Sequence, residues 1–170
     1  TRPLNLKNSD NKIVGGALNF SCRSVLTKSA CEVQRGFIPR RQLIQTVIDL
    51  DLRAHIYSLS SPALLLPLLV FFDFAAAFPS VSHAWLTKVL IALGFPAGLR
   101  EAVRSMYTCN HAYYSMHSSP GGGPPTILFG ILAGVIQGCP LSGMLFAAAI
   151  DPFLRMTIAA AHVRRNFTHV

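Results

Sequence analysis

The sequence predicts an α+β fold, and three observations carry that expectation. Apolar residues recur at helical spacing in several separate segments. An unbroken apolar run, residues 68–72, ends on a lone carboxylate, Asp73, and a second run follows at once to Phe78. Two segments, 111–117 and 126–132, flank the turn-rich stretch SPGGGPP and read as a hairpin with a long tip.

The chain opens basic, with Arg2, Lys7, Lys12, Arg23 and Lys28. Ser9 or Asp10 is placed to cap a helix in which Ile13, Val14, Ala17, Leu18, Val25 and Leu26 share a face. The Gly15-Gly16 pair weakens it by about 1 kcal/mol per glycine. Gly36 and Pro39 then break the chain, and Leu43, Val47, Leu50 and Ala54 line one face of the next helix. Arg40 and Arg41 fall near its start, where the helix dipole disfavours positive charge. Either a phosphate or carboxylate lies nearby, or the two arginines are simply solvated.

Short apolar runs rich in Val and Phe suit a strand buried on both faces, so residues 68–72 are expected as a central strand. A carboxylate at the tip of such a strand is costly to bury without a cation, a metal or backbone donors. Asp73 is therefore either an N-cap for a short helix through Phe78 or a metal-binding or catalytic acid.

After Pro79, Ser80 or Ser82 can cap a helix that turns Leu86, Val89, Leu90 and Leu93 inward, and Gly94 with Pro96 stops it. A following helix, roughly 97–107, turns Leu99, Val103 and Met106 inward. Beyond the hairpin, Gln137 and Gly138 sit where a strand has ended and no helix has begun. Pro140 then opens a helix with Leu145, Phe146, Ala149, Ile150, Phe153 and Leu154 facing the core. An amide beside bare backbone suits a flat polar ligand such as a base or sugar, although such corners also serve as plain turns. The basic end, 161–170, has no clear period and is expected to fray.

Composition narrows the partners. Hydrophobic residues make up 51% of the 170 and charged ones only 13%, so part of the surface expects cover. The formal charge of +8 fits a polyanion, nucleic acid or an anionic membrane surface. Four cysteines without C-x-x-C pairing argue against zinc and against a disulfide framework, and reduced intracellular thiols are the expectation. The apolar stretch 63–77 is shorter than the roughly 18 residues of a spanning helix and is interrupted by Pro67 and Asp73, so it reads as core rather than membrane.

Taken in order, these segments resemble a reverse transcriptase, and most closely the non-LTR, LINE-type retrotransposon enzymes. RPLNL at 2–6 resembles the family's RPI-x-L fingers motif, and QRGFIPRR at 34–41 resembles Q-x-G-F-x-P-G-R. FFDFAAAFPSVSH resembles the first palm motif and GVIQGCPLSGMLF the second. The resemblance implies a polymerase right-hand fold: a helical fingers fragment at 1–60, a partial palm at 61–155 and a basic tail at 156–170. It further implies RNA-directed DNA polymerase chemistry by nucleotidyl transfer on two Mg²⁺ ions about 4 Å apart.

On that resemblance Asp73 is the catalytic acid and a bridging metal ligand, helped by the backbone carbonyl of Phe74. Phe78 packs against the sugar of the incoming nucleotide. Gln137 and Gly138 line its pocket, and Arg2 neutralises its triphosphate. Gln34, Phe37 and Arg41 touch template or brace the fingers. The implied partners are an RNA template, a DNA primer, deoxynucleoside triphosphates and the remaining palm and thumb of a longer polyprotein, in the nucleus, with no membrane.

The sequence departs from the family in places. Lys and Asp are usual where Ala76 and Pro79 stand, Arg where Ile136 stands, and Gly where Arg40 stands. The family's second metal-binding element, an Asp-Asp turn, is absent, and no adjacent Asp pair occurs in the sequence. Asp151 occupies an ordinary helix position, where a solvated or capping role is expected. A site with one carboxylate holds two ions poorly, so the chain alone is expected to be inactive. The alternative is a non-catalytic RNA- or DNA-binding module derived from a reverse transcriptase.

Overall fold

The computed structural model describes residues 9–60, 69–114 and 124–166. Five helices and a hairpin follow in the order α1 (Ser9–Ser29), α2 (Ile44–Ser60), α3 (His83–Ala92), α4 (Ala97–Tyr107), β1 (His111–Tyr114), β2 (Thr126–Gly130) and α5 (Ser142–Asn166). The mixed α+β class holds, with helix dominant and strands confined to one antiparallel pair among the described residues.

The first half of α5 is the axis of the core. Met144, Leu145, Ala147 and Ala148 are buried there, and the alanines let neighbouring helices approach closely. Cys22 and Leu26 of α1, Leu86, Val89 and Leu90 of α3, and Val103 of α4 join the same buried cluster. The cluster thus draws on residues from both sides of position 60. Pro152 lies inside α5 and removes one backbone donor from its ladder. Three residues earlier, the Trp85 indole donates to the Ala149 carbonyl at 3.0 Å and pins α3 there. The 142–161 stretch of α5 is long and apolar enough to cross a membrane, but its first half is this core helix.

Local signals placed α3, α4 and the hairpin correctly. The Ser82 hydroxyl accepts the Trp85 N–H, and Gly94 takes φ +74° while Phe95 N–H reaches back to the Leu90 carbonyl, which closes α3. Val103 and Tyr107 are buried from α4. β2 stops at Gly130, short of the expected 132, while residues 115–117 of the expected first strand lie outside the described residues. The strands pair His111 with Gly130 and Tyr114 with Thr126, with a bulge between Ala112 and Tyr113. The hairpin tip falls outside the described residues.

Four expectations are corrected. Residues 69–72 form no strand and are exposed, because no backbone ladder partner meets them among the described residues. Leu43, just before α2, and Val47 and Leu50 on it are exposed, since no described helix or strand packs extensively along α2; the Arg35–Asp49 ion pair at 2.5 Å ties its flank. On α1, Ile13 and Val14 face solvent, and the buried face runs through Gly15, Cys22 and Leu26. Gly15 is needed there, because a Cβ would sit 3.0 Å from the Cys139 sulfur. Finally, residues 161–166 continue α5 rather than fray, since Ala and Arg propagate a helix already nucleated by packing, and 167–170 lie outside the described residues.

Candidate functional site

Two loops carry the chemistry suggested by the sequence, and the fold ties them together. Val135 N–H donates to the Phe78 carbonyl at 2.9 Å and Gly134 N–H to the Val81 carbonyl at 2.7 Å. Ser82 and Ala133 form a bridge beside them. A ring nitrogen of His83 lies 2.9 Å from the Gly134 carbonyl. Gly134 has φ +99°, and a Cβ on it would stand 3.0 Å from the Pro79 carbonyl oxygen. This glycine fastens the segment after Asp73 to the segment before Gln137, a role that nothing in its sequence neighbourhood signals.

Asp73 is exposed, so the desolvation cost anticipated for a buried acid does not arise. It also caps nothing: residues 75–80 form turns, and its carboxylate makes no hydrogen bond or ion pair to a described residue. Its neighbours Phe72 and Phe74 both meet the ring of Phe153 on α5. Phe78 is half-buried, its ring 4.9 Å from Phe146 and 6.1 Å from Phe37. Phe37 takes φ +60° and lies over Gly143, where a Cβ would come 2.4 Å from its ring.

Gln137 and Gly138 occupy the centre of a turn closed by Cys139 N–H on the Ile136 carbonyl at 3.3 Å, and Gly138 has φ +81°. That is the geometry of a type II turn, which requires positive φ at its third residue. Gln137 is half-buried and Gly138 exposed. Tyr107 is buried, and burial pushes its phenol pKa up. On α1, burial pushes the Cys22 thiol up to about 11, and none of the four cysteines is in a disulfide.

Arg41 is half-buried and pairs with backbone carbonyls rather than with an acid. Its guanidinium donates to the carbonyls of Gln34 at 2.7 Å, Ala30 at 3.3 Å and Cys31, at the C-terminal end of α1. Asp151, expected in water or at a cap, is fully buried. It accepts the Cys31 N–H and the Arg155 Nε–H, the latter at 2.6 Å, while Arg155 also donates to the Ser29 carbonyl. A buried acid thus locks α1 to α5. Arg2 lies outside the described residues.

A groove of about 1140 Å³ runs between α1, the 37–40 loop and the start of α5. Phe20, Phe37, Arg23, Lys28 and Arg40 line it, with the Arg23 guanidinium 5.7 Å above the Phe20 ring. Both phenylalanines are largely exposed. Exposed aromatics among basic groups suit stacked bases and phosphates. Phe20 went unread in the sequence because it sits on a helix face where apolar periodicity implies core.

Among the described residues no three His, Cys, Asp or Glu side chains come together. One exposed carboxylate and a backbone carbonyl do not form a two-ion site.

The profile described as "Reverse transcriptase (RNA-dependent DNA polymerase)" matches residues 1–170, the whole of this sequence. The chain belongs to the reverse transcriptase family. A similar protein is the "Transposon TX1 uncharacterized 149 kDa protein" of Xenopus laevis, 31% identical over 153 residues, which are 90% of this chain and 11% of that protein. The chain therefore spans about a tenth of its relative's length, and the relative's transposon origin agrees with the retroelement motifs. No solved structure matches.

Within this reverse transcriptase chain one family departure has a visible consequence. Arg40 stands where the motif carries Gly, and it adopts φ +66°, a left-handed conformation that costs a side-chain-bearing residue about 1–2 kcal/mol. Arg40→Gly is expected to raise stability by about 1 kcal/mol or slightly less, since glycine also loosens the unfolded chain. Urea denaturation checks this, with a higher midpoint at unchanged slope as the expected result.

Proposed function

We propose that this chain is the fingers and partial palm of a LINE-type reverse transcriptase. Residues 1–60 form the fingers piece and 61–155 the palm piece. The observation that carries the reading is the joint through Phe78, Gly134 and Val135, which fastens the Asp73 corner to the Gln137–Gly138 turn. In this reading Asp73 is the family's catalytic acid, with the Phe74 carbonyl beside it. Phe78 screens the sugar of the incoming nucleotide, and Gln137 and Gly138 border its base. Arg2 belongs to the same set through its motif.

Gln34, Phe37 and Arg41 divide. Arg41 braces the loop through its three carbonyls, whereas Phe37 offers an exposed ring to template. The implied metal is Mg²⁺, but the donors present do not suffice for two ions, so the chain alone carries no nucleotidyl transfer. The missing carboxylates belong to further palm sequence of a longer polyprotein, whose template is RNA, whose primer is DNA and whose place of action is the nucleus.

A second reading, a nucleic-acid-binding module without catalysis, is favoured by the aromatic and basic groove alone. Both readings require the chain to bind an RNA–DNA primer–template through phosphate contacts. Fluorescence anisotropy between about 50 and 200 mM salt is expected to show affinity falling steeply, by roughly 10³-fold for about six phosphate contacts. Negligible binding at low salt would remove both readings. Mg²⁺-dependent extension by the chain alone would contradict its proposed inactivity.

A further inference from the structure

Asp73 lies between two phenylalanines that grip the same ring. Phe72 and Phe74 each meet Phe153 edge-on, with centroids 5.9 Å away and interplanar angles of 85° and 84°. In extended chain, residues i and i+2 project to one side and i+1 to the other. Phe72 and Phe74 reach the same ring, and Asp73 between them is exposed, which fits that alternation. No backbone ladder fixes residues 69–74 among the described residues, so this aromatic contact is what orients them. Phe153 is itself well anchored. It follows Pro152 in α5 and stands two residues from Asp151, whose carboxylate is bound by Cys31 and Arg155.

We infer that Phe153 is a positioning residue for Asp73, acting through Phe72 and Phe74 without touching the acid's ligands itself. This rests on the reading of Asp73 as the family's catalytic acid. A cavity of about 350 Å³ adjoins the ring, lined by Phe74, Trp85, Phe146 and Phe153. Truncating Phe153 enlarges that cavity and removes both grips at once, which frees the Asp73 segment to shift into it.

NMR relaxation on the 170-residue chain tests the inference. The wild type and Phe153→Tyr are expected to hold the Asp73 amide near the rigid-backbone order parameter of about 0.85. Phe153→Ala is expected to lower it below about 0.6 and to average the Asp73 Hα–Hβ couplings, while α3 amides keep their order. Four results would overturn the proposal: an Asp73 amide equally ordered in Phe153→Ala, one already mobile in the wild type, loss of order spread equally through α3, or Phe153→Tyr behaving like Phe153→Ala. These readouts do not depend on catalysis. A failure of the catalytic reading would appear separately, as Asp73→Asn leaving nucleotidyl transfer intact in a chain extended through the missing palm.

Discussion

Asp151→Ala is expected to destabilise the chain by about 3 kcal/mol. The carboxylate is fully buried and accepts the backbone N–H of Cys31 and the Arg155 guanidinium. Its removal leaves the Cys31 N–H without an acceptor, at about 1–3 kcal/mol for an unsatisfied buried donor. Breaking a buried ion pair from one side costs about 3–5 kcal/mol. Arg155 is half-exposed and recovers hydration, which places the sum at the lower end of that range. Asp151→Asn keeps an acceptor and is expected to cost less. Urea midpoints for the two variants check the order. A cost under about 1 kcal/mol for the alanine variant would mean that α1 and α5 do not depend on this clasp.

Gly134→Ala is expected to cost about 2–3 kcal/mol and to act on the site as well. At φ +99° an alanine is strained, by about 1–3 kcal/mol in such sparsely populated backbone regions. Its Cβ would also press on the Pro79 carbonyl, which is backbone and gives way only if the joint opens. Opening it lengthens the Gly134–Val81 and Val135–Phe78 hydrogen bonds that hold the two loops. Hydrogen exchange at the Gly134 and Val135 amides is expected to accelerate beyond what the global stability loss explains. Exchange that tracks global stability alone would show that the joint tolerates the Cβ.

What was legible in the sequence was local. Ser82, Gly94 and Pro96 mark the ends of α3 by their own backbone chemistry, and the apolar stripes of α3 and α4 face the core as their spacing indicates. What was misread depended on partners. An apolar run such as 69–72 looks the same whether or not a strand lies beside it, and α2 shows a stripe that nothing described covers. Asp151 did leave a trace, a lone acid after the apolar run Ala147 to Ile150, but its backbone partner lies 120 residues away. Gly134 and Gly143 left none, because the atoms they make room for belong to Pro79 and Phe37. Of the proposed site, the residues of the two corners were readable from their motifs, whereas Phe20 and Phe153 needed three dimensions.

The most direct test is primer extension by this chain fused to the remaining palm and thumb of a related reverse transcriptase. The fusion is expected to extend a DNA primer on an RNA template with Mg²⁺, and Asp73→Asn is expected to abolish that extension. Extension undiminished by Asp73→Asn would contradict the account.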